Sequence, residues 1–304
     1  MINSLYKTTR VGYTSRANVA DALIRAFFDR AMEGDGELFS FLEAESLSRF
    51  IAVLRNEPEH RVIMQSLYEA GTPRTPPKKV LLDHVPKTGG LLIYSILRYL
   101  YPLHVVTPHR DVWSAAEPPT EEYSSTWAIV AGHIGRQHHY LIPDRDERLR
   151  CTVVRDPVSW VRSVYSYWRH VIVAGSPDFE LPLVSKARLL SFSEFIRDPE
   201  CQGALVNFQT TFLRSPESDS IEEIFHYYDL VGTSQDIPGF LRRLFSSAGI
   251  ESPLSAEKLI EITPPNASPP TLVSDEDRAF ITRVWADDHR LYELAKEKWA
   301  TAAA

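Results

Sequence analysis

The chain has 304 residues, with 40 Asp and Glu against 33 Lys and Arg, for a formal net charge of −7. That balance argues against a nucleic-acid-coating protein, which needs a basic footprint, but leaves room for one local basic pocket for an anion. The 44% hydrophobic and 24% charged fractions are those of a globular protein, not of collagen, a coiled-coil rod or a disordered tail.

The length allows one large α/β domain or two smaller ones, at roughly 100–200 residues each. Two cysteines, Cys151 and Cys201, are too few for a disulfide framework, and without a CxxC pair no structural zinc is expected. The start, Met1-Ile2-Asn3-Ser4, lacks the apolar core of a secretory signal. No stretch approaches 18 apolar residues, so no membrane span is expected, and the expected compartment is the reducing cytoplasm.

Residues 1–70 read as helical. Apolar residues recur at helical spacing through Val19, Ala22, Leu23, Ala26 and Phe27, then from Leu38 to Leu54, then from about His60 to Ala70. These helices carry no recognisable chemistry; shaping an acceptor cleft, pairing copies into a homo-oligomer and docking a partner all stay open. Gly71 to Pro77 holds three prolines in seven residues and cannot continue a helix. The expected boundary therefore separates residues 1–77, helices and linker, from a second domain over 78–304.

Beyond it the texture changes. Val80 to Val85 reads as a buried strand ended by Pro86, with Gly89-Gly90 next and a helix from about Leu91 to Tyr101. Further strands are expected at Trp127–Ala131, Cys151–Val154 and Tyr228–Val231. Helices are expected after the last two, to about Val173 and from Ile237 to Ala248. Four strands alternating with helices predict a parallel α/β sheet, in which ligands bind at the carboxyl ends of strands.

Three of those ends carry polar chemistry. After the first strand comes Pro86-Lys87-Thr88-Gly89-Gly90. A strand, a glycine turn and a helix start gather free N–H groups for an anion. Lys87 adds charge and Thr88 a hydroxyl; a plain turn with a surface lysine is the alternative. Neither GxxxxGK[ST] nor GxGxxG is present, so the common nucleotide loops are not supported. After the third strand come Arg155-Asp156-Pro157 and, eight residues past the arginine, Ser163. An arginine grips phosphate bidentately and a serine can complete the grip, although an Arg155–Asp156 ion pair would use the same residues structurally. After the second strand come Gly132-His133-Ile134-Gly135, whose histidine suits a general base. A loop histidine bonded to backbone is the alternative. Arg136, His138 and His139 could line an anionic acceptor, but a solvated face is favoured for them, while His84 reads as structural.

His84 to Gly90 resembles the 5′-phosphosulfate loop of sulfotransferases that use 3′-phosphoadenosine 5′-phosphosulfate (PAPS), and Arg155 to Ser163 resembles their 3′-phosphate loop. Asn207-Phe208-Gln209-Thr210 and Tyr228-Asp229-Leu230-Val231-Gly232, followed by Asn266 to Ala295, resemble bacterial members of the carbohydrate branch, with a uronosyl 2-O-sulfotransferase-like setting around His133. The resemblance covers about residues 78–295. It implies a P-loop-like parallel sheet (the sulfotransferase fold) with an N-terminal helical extension, PAPS as donor, no metal, and a glycan or small-molecule acceptor. It gives Lys87 the leaving phosphate oxygen, and Thr88, Gly89 and Gly90 the phosphosulfate. Arg155 and Ser163 take the 3′-phosphate, and His133 the acceptor proton. Leu91 and Leu92 stand where relatives carry hydroxyls, Ala131 where the 2-O branch has a second histidine, and Ser159-Trp160 where an acid and a base are frequent. A small-molecule kinase or an inactive nucleotide-binding relative are the competing readings.

Overall fold

Val80-Leu81-Leu82-Asp83 forms β1 (Val80–Asp83), and all four residues are buried. A strand buried throughout needs cover on both faces, as in a parallel sheet. The structure, a computed structural model, describes residues 75–101, 105–107, 110–111, 127–170, 172, 181–218, 220–252, 254–263 and 271–301. All belong to one compact unit, Pro73–Ala304. The helices expected over residues 1–70, His104, His109 and the segment around Asn266 lie outside the described residues.

β1 is the centre of a five-stranded sheet with β2 (Arg110–Asp111), β3 (Ile129–His133), β4 (Leu149–Val154) and β5 (Leu230–Thr233). The order is β2-β3-β1-β4-β5 and every pair is parallel. The parallel α/β architecture is as expected, but the sheet has one more strand than the four predicted, because a two-residue strand leaves no periodic signal. The last strand begins at Leu230 and not at Tyr228, whose side chain is turned toward β1 instead.

Helices cover both faces. α1 (Gly90–Leu100) follows β1, and α2 (Pro157–His170) follows β4. Five short helices come next: α3 (Pro182–Leu189), α4 (Phe192–Arg197), α5 (Pro199–Leu205), α6 (Phe208–Leu213) and α7 (Glu222–Tyr227). After β5 come α8 (Ile237–Ala248), α9 (Ala256–Ile262), α10 (Asp275–Val284) and α11 (Ala286–Thr301). Successive residues of a strand face opposite sides. Accordingly Val231 packs with Leu291 and Ala295 of α11, while a β-carbon on Gly232 would meet the Phe240 ring of α8 at 2.4 Å.

The helix starts follow local chemistry. Pro157 fits the first turn of α2, where its missing N–H costs nothing, and Asp156 Oδ1 accepts from Ser159 N at 2.8 Å. α4 opens on a capping box between Ser191 and Glu194. Trp160, Val161 and Val164 of α2 pack with Phe195, Ile196 and Trp285 into a core that holds α2 in place. Among the described residues no helix is long and apolar enough to cross a membrane.

Candidate functional site

The chain leaves β1 toward β3 on one side and later reaches β4 on the other. β1 is thus where the strand order reverses, and ligands bind in open α/β sheets at such a point. The glycine turn, His133 and Arg155 follow β1, β3 and β4, three adjacent strands. The three sequence-predicted segments are therefore brought to one end of the sheet.

The turn is shaped for an anion. Lys87 has φ 66° and Gly89 φ 100°, left-handed values that cost a non-glycine residue about 1 kcal/mol or more at Lys87. Gly89 caps α1 without a side-chain bond, and no acid sits in the first turn. The first inward bond of α1 runs from Ile93 N to Gly89 O, at 3.3 Å. The N–H groups of Gly90, Leu91 and Leu92 have no acceptor within the helix. Gly90 must be glycine, since a β-carbon there would lie 2.1 Å from the His84 ring.

α2 and the loop that leads into it grip the turn from the side. Trp160 Nε1 donates to Pro86 O at 2.7 Å, and Arg155 Nη1 donates to Lys87 O at 2.9 Å. The Lys87 ammonium lies 3.7 Å from the centre of the Tyr167 ring. Burial first, and then the neighbouring Arg162, hold the Arg155 guanidinium below its ordinary value, against the pull of Asp156. Like charges held close favour an anion beside them. Ser163 is half-buried on α2. Thr88 differs from expectation: its hydroxyl donates to Val85 O at 2.8 Å, so that proton closes the turn instead of facing a phosphate.

His133 ends β3 and is only 4% exposed. Its ring centre is 4.6 Å from that of His84. A short row of contacts, Gly90 to His84 to His133, therefore joins the glycine turn to the expected base. His84 is buried, with its ring against Gly90 on one side and near His133 on the other.

The solvated face favoured for Arg136, His138 and His139 is corrected for Arg136 and His139, while His138 is half-buried and meets the exposed Gln137 side chain. His139 is buried, with Nε2 2.8 Å from Asp83 Oδ2 and Nδ1 2.8 Å from the Tyr227 hydroxyl. Asp83 also accepts from Tyr228 OH at 2.7 Å and from Gly135 N at 2.9 Å. Burial and the Asp83 carboxylate hold the Tyr228 phenol far above its usual range, so it stays a donor. Arg136 and Arg150 lie over the Tyr227 ring, at 3.2 and 4.3 Å. A 3₁₀ helix, Arg136–Leu141, turns His139 inward while leaving Gln137 and Tyr140 exposed. Adjacent residues in a 3₁₀ turn point about a third of a revolution apart.

Sequence reasoning also missed Gln209. It is fully buried, accepts from Arg155 N at 2.8 Å through Oε1 and donates to Arg155 O at 2.8 Å through Nε2. The Asn-x-Gln-Thr segment was the available signal. Trp160, noted only as a departure, ties the same segment to the turn through its stack on Phe208, 5.3 Å between ring centres. Among the described residues no group of three or more His, Cys, Asp or Glu is placed to hold a metal ion. No protein-family model matches the chain, and no curated protein matches its sequence.

Proposed function

We propose that the protein is a PAPS-dependent sulfotransferase acting on a hydroxyl of a glycan or small-molecule acceptor. The observation that carries this reading is the meeting of a glycine turn, Arg155 and His133 at the ends of three adjacent parallel strands. The strand, turn and helix at the centre of the sheet support a P-loop-like, sulfotransferase-type fold. The two buried free thiols, Cys151 and Cys201, suit a reducing compartment, and the same reading puts the enzyme in the cytoplasm.

The residues present fit the donor. The turn offers the N–H groups of α1 and the Lys87 ammonium to the 5′-phosphosulfate, while the bare side of Gly90 takes the His84 ring. Arg155 and Ser163 hold the 3′-phosphate, the group that separates this donor from ATP. Thr88 acts by closing the turn, and Tyr167 gives Lys87 a resting place on its ring. PAPS supplies an activated sulfuryl group. As its sulfur–oxygen bond to phosphate breaks, a new one forms to the acceptor oxygen. Lys87 and the N–H groups balance the charge left on the phosphate oxygen. His133 takes the acceptor proton.

Incubation with ³⁵S-labelled PAPS and a panel of hydroxyl acceptors tests this directly. Label is expected to pass to an acceptor with release of adenosine 3′,5′-bisphosphate, and to do so in EDTA. Phosphoryl transfer from ATP that EDTA abolishes and Mg²⁺ restores would establish the kinase reading instead.

A further inference from the structure

The Asn207-Phe208-Gln209-Thr210 segment has no role in the transfer step, yet it is bonded on both sides. Asn207 sits at φ 53°, a left-handed value that asparagine tolerates, and starts α6. Its Oδ1 accepts from Asp287 N at 3.1 Å and from Asp288 N at 3.3 Å, in the first turn of α11. The favour is returned. Asp288 Oδ1 accepts from Thr210 N and Thr210 Oγ1, both at 2.8 Å, and Oδ2 accepts from Gln209 N at 3.3 Å. Each helix start thus caps the other, satisfying N–H groups that would otherwise be stranded inside the protein. Asp288 is 1% exposed, so its bonds are not shared with bulk water.

The outcome of this double cap is the placement of one side chain. Gln209 stands fully buried, and its amide pairs with both the N–H and the C=O of Arg155, as a neighbouring strand would. Arg155 is the first residue after β4, where regular pairing ends. The paired peptide aims the guanidinium, which holds Lys87 O at 2.9 Å. We propose that Gln209, fixed by Asp288 across the α6–α11 junction, is a positioning residue that sets Arg155 for the 3′-phosphate. This deepens the sulfotransferase reading and rests on it for the identity of the ligand.

The experiment uses the full chain and two probes, adenosine 3′,5′-bisphosphate and 5′-AMP, titrated calorimetrically, with hydrogen exchange at the Arg155 amide in ligand-free protein. Gln209→Ala is expected to weaken the bisphosphate about tenfold to a hundredfold, the usual scale of a lost alignment. It should leave 5′-AMP unchanged and speed Arg155 exchange. In turnover, the donor KM should rise while kcat at saturating donor stays near the wild type, a split that general destabilisation would not produce. Asp288→Asn keeps volume and one acceptor oxygen and should shift the same readouts by less. It carries the test if Gln209→Ala does not fold. Wild-type preference for the bisphosphate that survives in the variant overturns the proposal. If the wild type itself shows no preference, the donor reading fails, and the exchange rate decides alone. Faster Arg155 exchange then supports the positioning role, and an unchanged rate overturns it.

Discussion

Asp83→Ala is expected to cost the fold about 3–5 kcal/mol, because it strands several buried donors that each cost about 1–3 kcal/mol without an acceptor. Asp83 is fully buried and accepts from Tyr228 OH and Gly135 N while facing His139 Nε2. Alanine would leave a phenol, a backbone N–H and an imidazole facing a cavity with no acceptor. Asp83→Asn keeps the shape and one acceptor, so its cost should be smaller, about 1–3 kcal/mol. Urea unfolding followed by circular dichroism measures both. The effect reaches the site, because the residues after Asp83 form the glycine turn and Gly135 lies two residues past His133. If Asp83→Ala unfolds within 1 kcal/mol of the wild type, the buried network contributes little and the loop after β3 is held by other means.

Lys87→Ala and His133→Ala are expected to separate binding from chemistry. Lys87 lies in the glycine turn, with its ammonium over the Tyr167 ring. Its loss should weaken adenosine 3′,5′-bisphosphate and also slow single-turnover transfer by about 10²–10³-fold, the usual worth of one group stabilising developing charge. In the proposed reaction His133 would act on the acceptor proton. Its loss should slow the same step by about 10²–10⁴-fold while bisphosphate affinity stays the same. At 4% exposure, His133 is more enclosed than its place at a strand end implies, so the mutant is informative. Turnover at the wild-type rate would move the base elsewhere. Loss of bisphosphate binding along with rate would make His133 a structural partner of His84, 4.6 Å away.

The parts that were legible in the sequence are those with local causes. The apolar runs 80–85, 127–131 and 151–154 read as strands because both faces of a parallel strand are buried, and the strands found, 80–83, 129–133 and 149–154, overlap them with ends moved by two residues. Pro86, Pro157 and the glycine pair marked the turns after them. Ser191 and Glu194 spelled a capping box that went unread, and it opens α4. The parts that were not legible depend on partners distant in the chain. Nothing local tells His139 that Asp83, 56 residues away, will take its ring, so a run of His and Arg looked solvated. Gln209 meets Arg155 across 54 positions, and Asp288 meets Thr210 across 78. Thr88 looked like a phosphate donor because the sequence does not show that Val85 O lies 2.8 Å from its hydroxyl. Tertiary contact decided the cases of His139, Gln209 and Asp288, whereas Thr88 was decided within its own turn, three residues back.

The central claim is that Arg155 and Ser163 select a 3′-phosphate, and thermal unfolding with adenosine 3′,5′-bisphosphate beside 5′-AMP tests it most directly. A ligand at a hundredfold excess over its Kd stabilises by about 2.7 kcal/mol. For a unit of this size that raises Tm by about 5–10 °C. The bisphosphate is expected to give this shift and 5′-AMP much less, with Arg155→Ala erasing the difference. Equal shifts for the two ligands in the wild-type protein would contradict the account.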